Sequence, residues 1–111
     1  MNSILTSIKK LLGIPEEYEQ FDADLIMHVN SVLFILNQLG VGPQFTISSK
    51  DETWQEYLGE ELIDYEAVKS YVHLKVKLLF DPPQSSAVAE AIKNMISELE
   101  YRLYVVAENK Q

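Results

Sequence analysis

Few of these 111 residues have side chains suited to chemistry, and their spacing argues against it. Cysteine is absent, which removes thiolate nucleophiles, disulfides and Cys-ligated zinc together and fits a reducing compartment. Neither Ser31 nor Ser70 stands in the G-x-S-x-G setting that exposes a nucleophile on a strand-to-helix turn. Of the two imidazoles, His28 falls in a strongly apolar stretch and reads as a packed structural residue. His73 has Lys69 and Lys77 four residues to either side, a cationic strip that suits a solvated face or docking onto an acidic surface. Asp22-Ala-Asp24 has the look of a Mg²⁺ carboxylate pair. Capping and the helix macrodipole explain it instead, and Glu60, Glu61 and Asp64 too. There is no metal-ligating His pair, EF-hand or phosphate-cradling loop, since the GVGP segment lacks both the Lys and the length. The expectation is a non-enzyme with no catalytic residue, metal or cofactor.

The elements that carry these residues are helical. Ile4, Ile8, Leu11 and Leu12 fall on one helix stopped by Gly13-Ile14-Pro15. After an acidic connection, Asp22 is expected to cap a second helix running to about Leu39. Its seam is Leu25, Val29, Val32, Leu36 and Leu39, with Gly40 as the C-terminal stop. Met27 and Phe34 fall on the opposite side of that helix, which is then either sandwiched in a core or open to a partner. Val41 to Lys50 is irregular, with Phe45 and Ile47 alternating as a short extended piece. Thr53 to Leu58 reads as a brief helix with Asp51 as its cap, closed by Gly59, and about Asp64 to Phe80 as a longer one ended by Pro82-Pro83. The last helix opens at Ser85 or Ser86 and carries the stripe Val88, Ile92, Met95, Leu99, Leu103 and Val106. Trp54, Tyr57, Tyr101 and Tyr104 suit core, shell or interface anchors alike. The expected fold is all-α, a small bundle of four to five helices in a single domain spanning residues 1–111.

Charge narrows the function classes. A net charge of −8 gives no electrostatic footprint for phosphate backbones or anionic membranes. Lysines that follow the first apolar residues argue against a signal peptide, and no apolar run has the length of a membrane span, so a soluble intracellular protein is expected. The charge is uneven: residues 1–68 hold 12 acids and 3 bases (−9), residues 69–111 hold 5 acids and 6 bases (+1). With catalysis unsupported, interaction surfaces remain.

Two runs of residues are more specific. One is Phe21-Asp22-x-Asp24, Ile26-Met27-His28-Val29-Asn30 and Leu39-Gly40-Val41-Gly42-Pro43. The other is Leu74-x-Val76-Lys77-Leu78-Leu79-Phe80-Asp81-Pro82-Pro83, then Ser85-Ser86 and a long helix containing Ile96-Ser97-Glu98-Leu99-Glu100. Together they resemble the small helical head–tail connector (adaptor) proteins of long-tailed bacteriophages and prophages, over nearly the whole chain. The resemblance implies a structural virion protein at the head–tail junction, present in the host cytoplasm during assembly. It implies a homo-oligomeric ring, commonly dodecameric, beneath the portal protein. Such a ring extends the DNA channel and offers a platform for stopper or tail-completion proteins, with DNA passing through without specific binding. No cofactor is implied. On this reading the protein-interaction residues are Met27 and Phe34 on the second helix, Phe45 and Ile47 in the loop, Lys69, His73 and Lys77 on the fourth helix, and Tyr104 and Val105 on the last. Residues Tyr104 to Gln111 would then dock on the portal, and the acidic front half would face the channel or solvent. The rival reading is an acidic DNA mimic that inhibits a nucleic-acid enzyme through the Glu16 to Asp24 cluster.

Overall fold

Ser3 opens the chain's first helix by accepting a hydrogen bond from the Thr6 backbone N–H at 3.1 Å. The helix, α1 (Ile4–Leu12), ends where Gly13 turns left-handed at φ +81° and Ile14 N–H bonds back to the Lys9 carbonyl. In the computed structural model, which describes residues 3–59 and 65–109, four further helices follow: α2 (Asp22–Gln38), α3 (Trp54–Leu58), α4 (Tyr65–Phe80) and α5 (Ser86–Asn109). The fold is all-α. Among the described residues the one trace of β-pairing is an isolated bridge between Ser3 and Thr53. The expected fourth-helix start at Asp64, and the acidic pair Glu60 and Glu61, lie outside the described residues.

Two expected caps are corrected. Asp22 is the first helical residue of α2, not its cap, and its carboxylate is turned toward Lys9. For α3 the cap is Thr53, not Asp51. Thr53 Oγ1 accepts from Glu56 N–H at 3.1 Å and Glu56 Oε1 accepts from Thr53 N–H at 2.8 Å, a reciprocal capping box. Gly40 does end α2 as expected, at φ +85°, with Val41 N–H reaching back to the Leu36 carbonyl at 2.9 Å.

Helix α4 is the hub: α2 and α5 both pack on it, while α1 lies against both α4 and α2. The result is a slab of 41 × 35 × 19 Å, about two helices thick. One contiguous core runs through it, built from Leu25, Val29, Val32 and Leu36 of α2 with Val68, Val72 and Val76 of α4. Trp54, Tyr57 and Tyr71 are its largest fully buried side chains. The Trp54 indole N–H donates to Ser7 Oγ at 3.2 Å and the Tyr71 hydroxyl to Glu100 Oε2 at 2.6 Å, so both rings bury their apolar bodies with a polar handle satisfied.

Candidate functional site

On α2 the inward turns are filled by Leu25, Val29, Val32, Leu33 and Leu36. Met27 and Phe34, on the far side, are 59% and 60% exposed. The choice between a sandwiched and an open helix therefore falls to the open one. Asp24, Met27, Ser31, Phe34 and Gln38, all exposed, form a straight strip along this face.

Helix α5 forms where its apolar stripe placed it and buries only part of that stripe. Its buried positions are Ile96 and Leu103, with Ile92, Leu99 and Ala107 packed beside them. Val88 and Met95 are 48% and 52% exposed. The physical reason is that α5 rests chiefly on α4, so one narrow arc is covered while the sequence is apolar over a wider one. The uncovered side forms a shallow groove of about 430 Å³ with Leu74 of α4, lined by Ala87, Val88, Ala91, Ile92 and Met95. Farther along, Tyr101, Val105 and Val106 line a second recess with the paired charges Glu98 and Arg102, whose Oε2 and Nη2 stand 3.0 Å apart. Tyr104 and Tyr101 are exposed, unlike the buried Trp54 and Tyr57. Of the proposed docking segment Tyr104 to Gln111, residues 110–111 lie outside the described residues.

The loop after α2 departs from expectation. Residues 41–50 form no strand. The Asn30 side chain replaces a β-partner, its Nδ2 donating to the Ile47 carbonyl at 2.9 Å and its Oδ1 accepting from Ile47 N–H at 2.8 Å. Ile47 is thereby drawn into the core and offers nothing to a partner in this conformation, a correction to its place among the interaction residues. Phe45 is half-buried, its ring 5.2 Å from that of Tyr57. Burial pushes the Tyr57 hydroxyl up to about 12, and that hydroxyl has no hydrogen-bond partner. At the loop's far end the Glu52 carboxylate accepts from Ser48 N–H and Ser49 N–H, each at 3.1 Å. Burial would raise its pKa, but the bonds from Ser48 and Ser49 outweigh it and hold the group below the usual carboxylate range.

Lys69, His73 and Lys77 do share one side of α4, but not as three free cations. Lys69 Nζ lies 5.5 Å above the Tyr65 ring and Lys77 Nζ lies 3.7 Å from Asp81 Oδ2. His73 is half-buried with Nε2 unpartnered. Desolvation, then the nearby Lys77 charge, push its pKa below the ordinary value, against a hydrogen bond with the Leu11 backbone. The lowered pKa favours the neutral imidazole, so the expected cationic strip is weakest in its middle. His28 packs with its ring 6.5 Å from Phe80.

The residue that sequence reasoning missed is Lys9, only 3% exposed. Its ammonium donates to the carbonyls of Glu16 at 2.8 Å and Tyr18 at 2.7 Å and stands 2.9 Å from Asp22 Oδ1. That last contact is an ion pair without an aligned hydrogen bond. Lys9 thus pins the acidic connection to α1 and withdraws Asp22 from the exposed acidic cluster. The available signal was its position one residue after Ile8, on the buried side of α1.

Among the described residues no group of three or more His, Asp or Glu gathers as a metal cage, and no helix is long and apolar enough to cross a membrane. What the molecule presents is unpartnered apolar surface on separate faces. A family model for phage connector proteins matches residues 4–110. The chain belongs to the phage connector protein family. No curated protein and no solved structure matches it. Phage connectors are structural components of the head–tail junction, associating there with other virion proteins, and this chain's all-α fold and open apolar faces suit that role.

Proposed function

We propose that this connector assembles as a ring beneath the portal, extends the DNA channel and carries the stopper or tail-completion proteins. The observation that carries this reading is apolar surface left open on two different elements, α2 and α5, each of which packs on α4. A ring closes by a heterologous contact, which needs two unlike patches on each subunit. An apolar patch that stays wet in the free chain is what such a contact covers. The exposed acids Glu16, Glu17 and Glu19 favour a wall that repels the DNA backbone and lets the duplex slide. The exposed Tyr104 and half-buried Val105 near the end of α5 suit docking on the portal. The activity is assembly, with no reaction to catalyse and no cofactor.

The test is co-sedimentation of the purified chain with intact portal rings from the same phage, followed by electron microscopy of the complex. A ring of density added under the portal is expected. Intact portal rings that bring down none of the chain over a range of salt would overturn the reading.

A further inference from the structure

The loop between α2 and α3 is held by side chains and not by its own backbone. Among the described residues, the hydrogen bonds that tie residues 42–47 to the rest of the molecule are the two made by Asn30 to the Ile47 backbone. Gly42, Pro43, Gln44 and Thr46 are exposed. The apolar holds are therefore Ile47, in the core, and the half-buried Phe45 ring against Tyr57. The two ends of the segment differ. On the α2 side Gly42, at φ +71°, lets the chain turn without Cβ strain. On the α3 side Glu52 grips Ser48 and Ser49 through both backbone N–H groups and accepts from the Ser48 hydroxyl at 2.9 Å. The stretch free to leave is thus residues 42–47.

Beneath it lies a group that gains by its departure. The Tyr57 side chain is buried and its hydroxyl has no hydrogen-bond partner. The loop backbone lies directly over that hydroxyl: a Cβ added at Gly42 would stand 3.1 Å from its oxygen. A buried hydroxyl without a partner destabilises the closed form, and water satisfies it once the loop lifts. The closed form therefore sets two Asn30 bonds and the burial of Ile47 and Phe45 against one unsatisfied hydroxyl. That balance is far smaller than the one holding the helical core, and segments so placed open below the free energy of global unfolding.

We propose that residues 42–47 form a strap that lifts as a unit from the Tyr57 ring while the five helices stay folded, with Asn30 as its polar pin and the Tyr57 hydroxyl favouring release. Closed, the strap keeps Ile47 in the core. Open, it puts Ile47 and Phe45 on the surface and wets the hydroxyl. The strap is a property of the free chain and stands apart from the ring reading.

Because the chain has no cysteine, a single one reports the opening. Ile47→Cys is labelled with a thiol reagent under native conditions, beside Val72→Cys, whose site in α4 is fully buried and reports global unfolding. The thiol at position 47 is expected to react at least about 100-fold faster, at a rate flat in low urea, while the rate at position 72 climbs with urea. Equal rates with equal urea slopes overturn the proposal. Hydrogen exchange at the Ile47 amide of the unsubstituted chain reads the same opening without a cysteine. Exchange there as slow as at the Val72 amide, with the same urea dependence, overturns it too. In the Ile47→Cys chain, Asn30→Ala should speed labelling about tenfold by removing the pin, and Tyr57→Phe should slow it about tenfold, since no hydroxyl is left to hydrate. Unchanged labelling in Asn30→Ala sinks the pin, and a Tyr57→Phe chain that labels as fast as its parent sinks the hydroxyl's part in release.

Discussion

Replacing Lys9 by Met tests whether a single buried ammonium holds the acidic connection in place. The methionine keeps the side chain's length and apolar body, so packing in α1 is little changed. What disappears is two charge-assisted hydrogen bonds, to the carbonyls of Glu16 and Tyr18, and the ion pair to Asp22. Hydrogen bonds to a charged group contribute about 1.5–3 kcal/mol each, and removing one partner of a fully buried ion pair costs about 3–5 kcal/mol. Both figures must be discounted, because Glu16 and Tyr18 lie in exposed residues and Asp22 is 27% exposed, so water can take over part of what Lys9 supplied. The net expectation is a loss of about 2–3 kcal/mol. For a chain of 111 residues the unfolding entropy scales to about 0.23 kcal/mol/K, so Tm should fall by about 9–13 °C. Urea titration followed by circular dichroism should show a lower midpoint at unchanged slope. Lys9→Met combined with Asp22→Asn should cost less than the two single changes summed, since both report one ion pair. A Lys9→Met protein within about 0.5 kcal/mol of wild type would refute the reasoning.

The other predictions use the same measurements. Gly42→Ala forces an alanine to φ +71° at a cost of about 1–2 kcal/mol, and Gly59→Ala forces one to φ +84° with ψ −177°, a region essentially confined to glycine, at about 1–3 kcal/mol. At Gly42 the added Cβ would also lie 3.1 Å from the Tyr57 ring, so Gly42→Ala should cost more than the backbone change alone; a loss under about 1 kcal/mol would show that the loop yields. His73 has a folded pKa below its unfolded value, so its contribution is present above about pH 6.5 and is lost as pH falls through the lower folded value. His73→Gln should therefore flatten the stability–pH curve below about pH 6.5, and an unchanged slope would show that the imidazole is not the group titrating. Met27→Asp and Phe34→Asp should change monomer stability by no more than about 0.5 kcal/mol, because both side chains are open in the free chain. A large drop in Tm for either would place that face in a core.

Much of the fold was legible because it depends on local chemistry. Gly13 before Pro15, Gly40 after α2 and the Asp81-Pro82-Pro83 turn each end a helix through backbone constraints that any neighbour must accept. The candidate faces were legible in part. Met27 and Phe34 stood out because they break the α2 seam, but sequence could not decide whether a further layer covered them. The α5 stripe marked the helix but not its buried arc: the sequence is apolar over a wider arc than α4 covers, and periodicity alone does not separate the exposed Val88 and Met95 from the buried Ile96 and Leu103. Lys9 and Asn30 were hidden because their partners are set by chain path, not periodicity. A carbonyl at Tyr18 and the backbone of Ile47 come within reach only after the connection and the loop have folded back.

The bridge between Ser3 and Thr53 has a consequence in time. Ile4 N–H bonds to the Glu52 carbonyl at 3.0 Å, and Ser7 Oγ accepts from the Trp54 indole. The contacts that fix α1 thus come from residues nearly fifty positions downstream, and from α4 beyond them. At a synthesis rate of about 5–20 residues per second, α1 leaves the ribosome roughly 2–10 s before the segment that clasps it. A nine-residue helix is marginal alone in water, so through that interval its apolar side has only α2 and the connection before it to rest on. The first helix made is among the last to be secured, and a nascent chain halted before Trp54 should leave α1 open to protease.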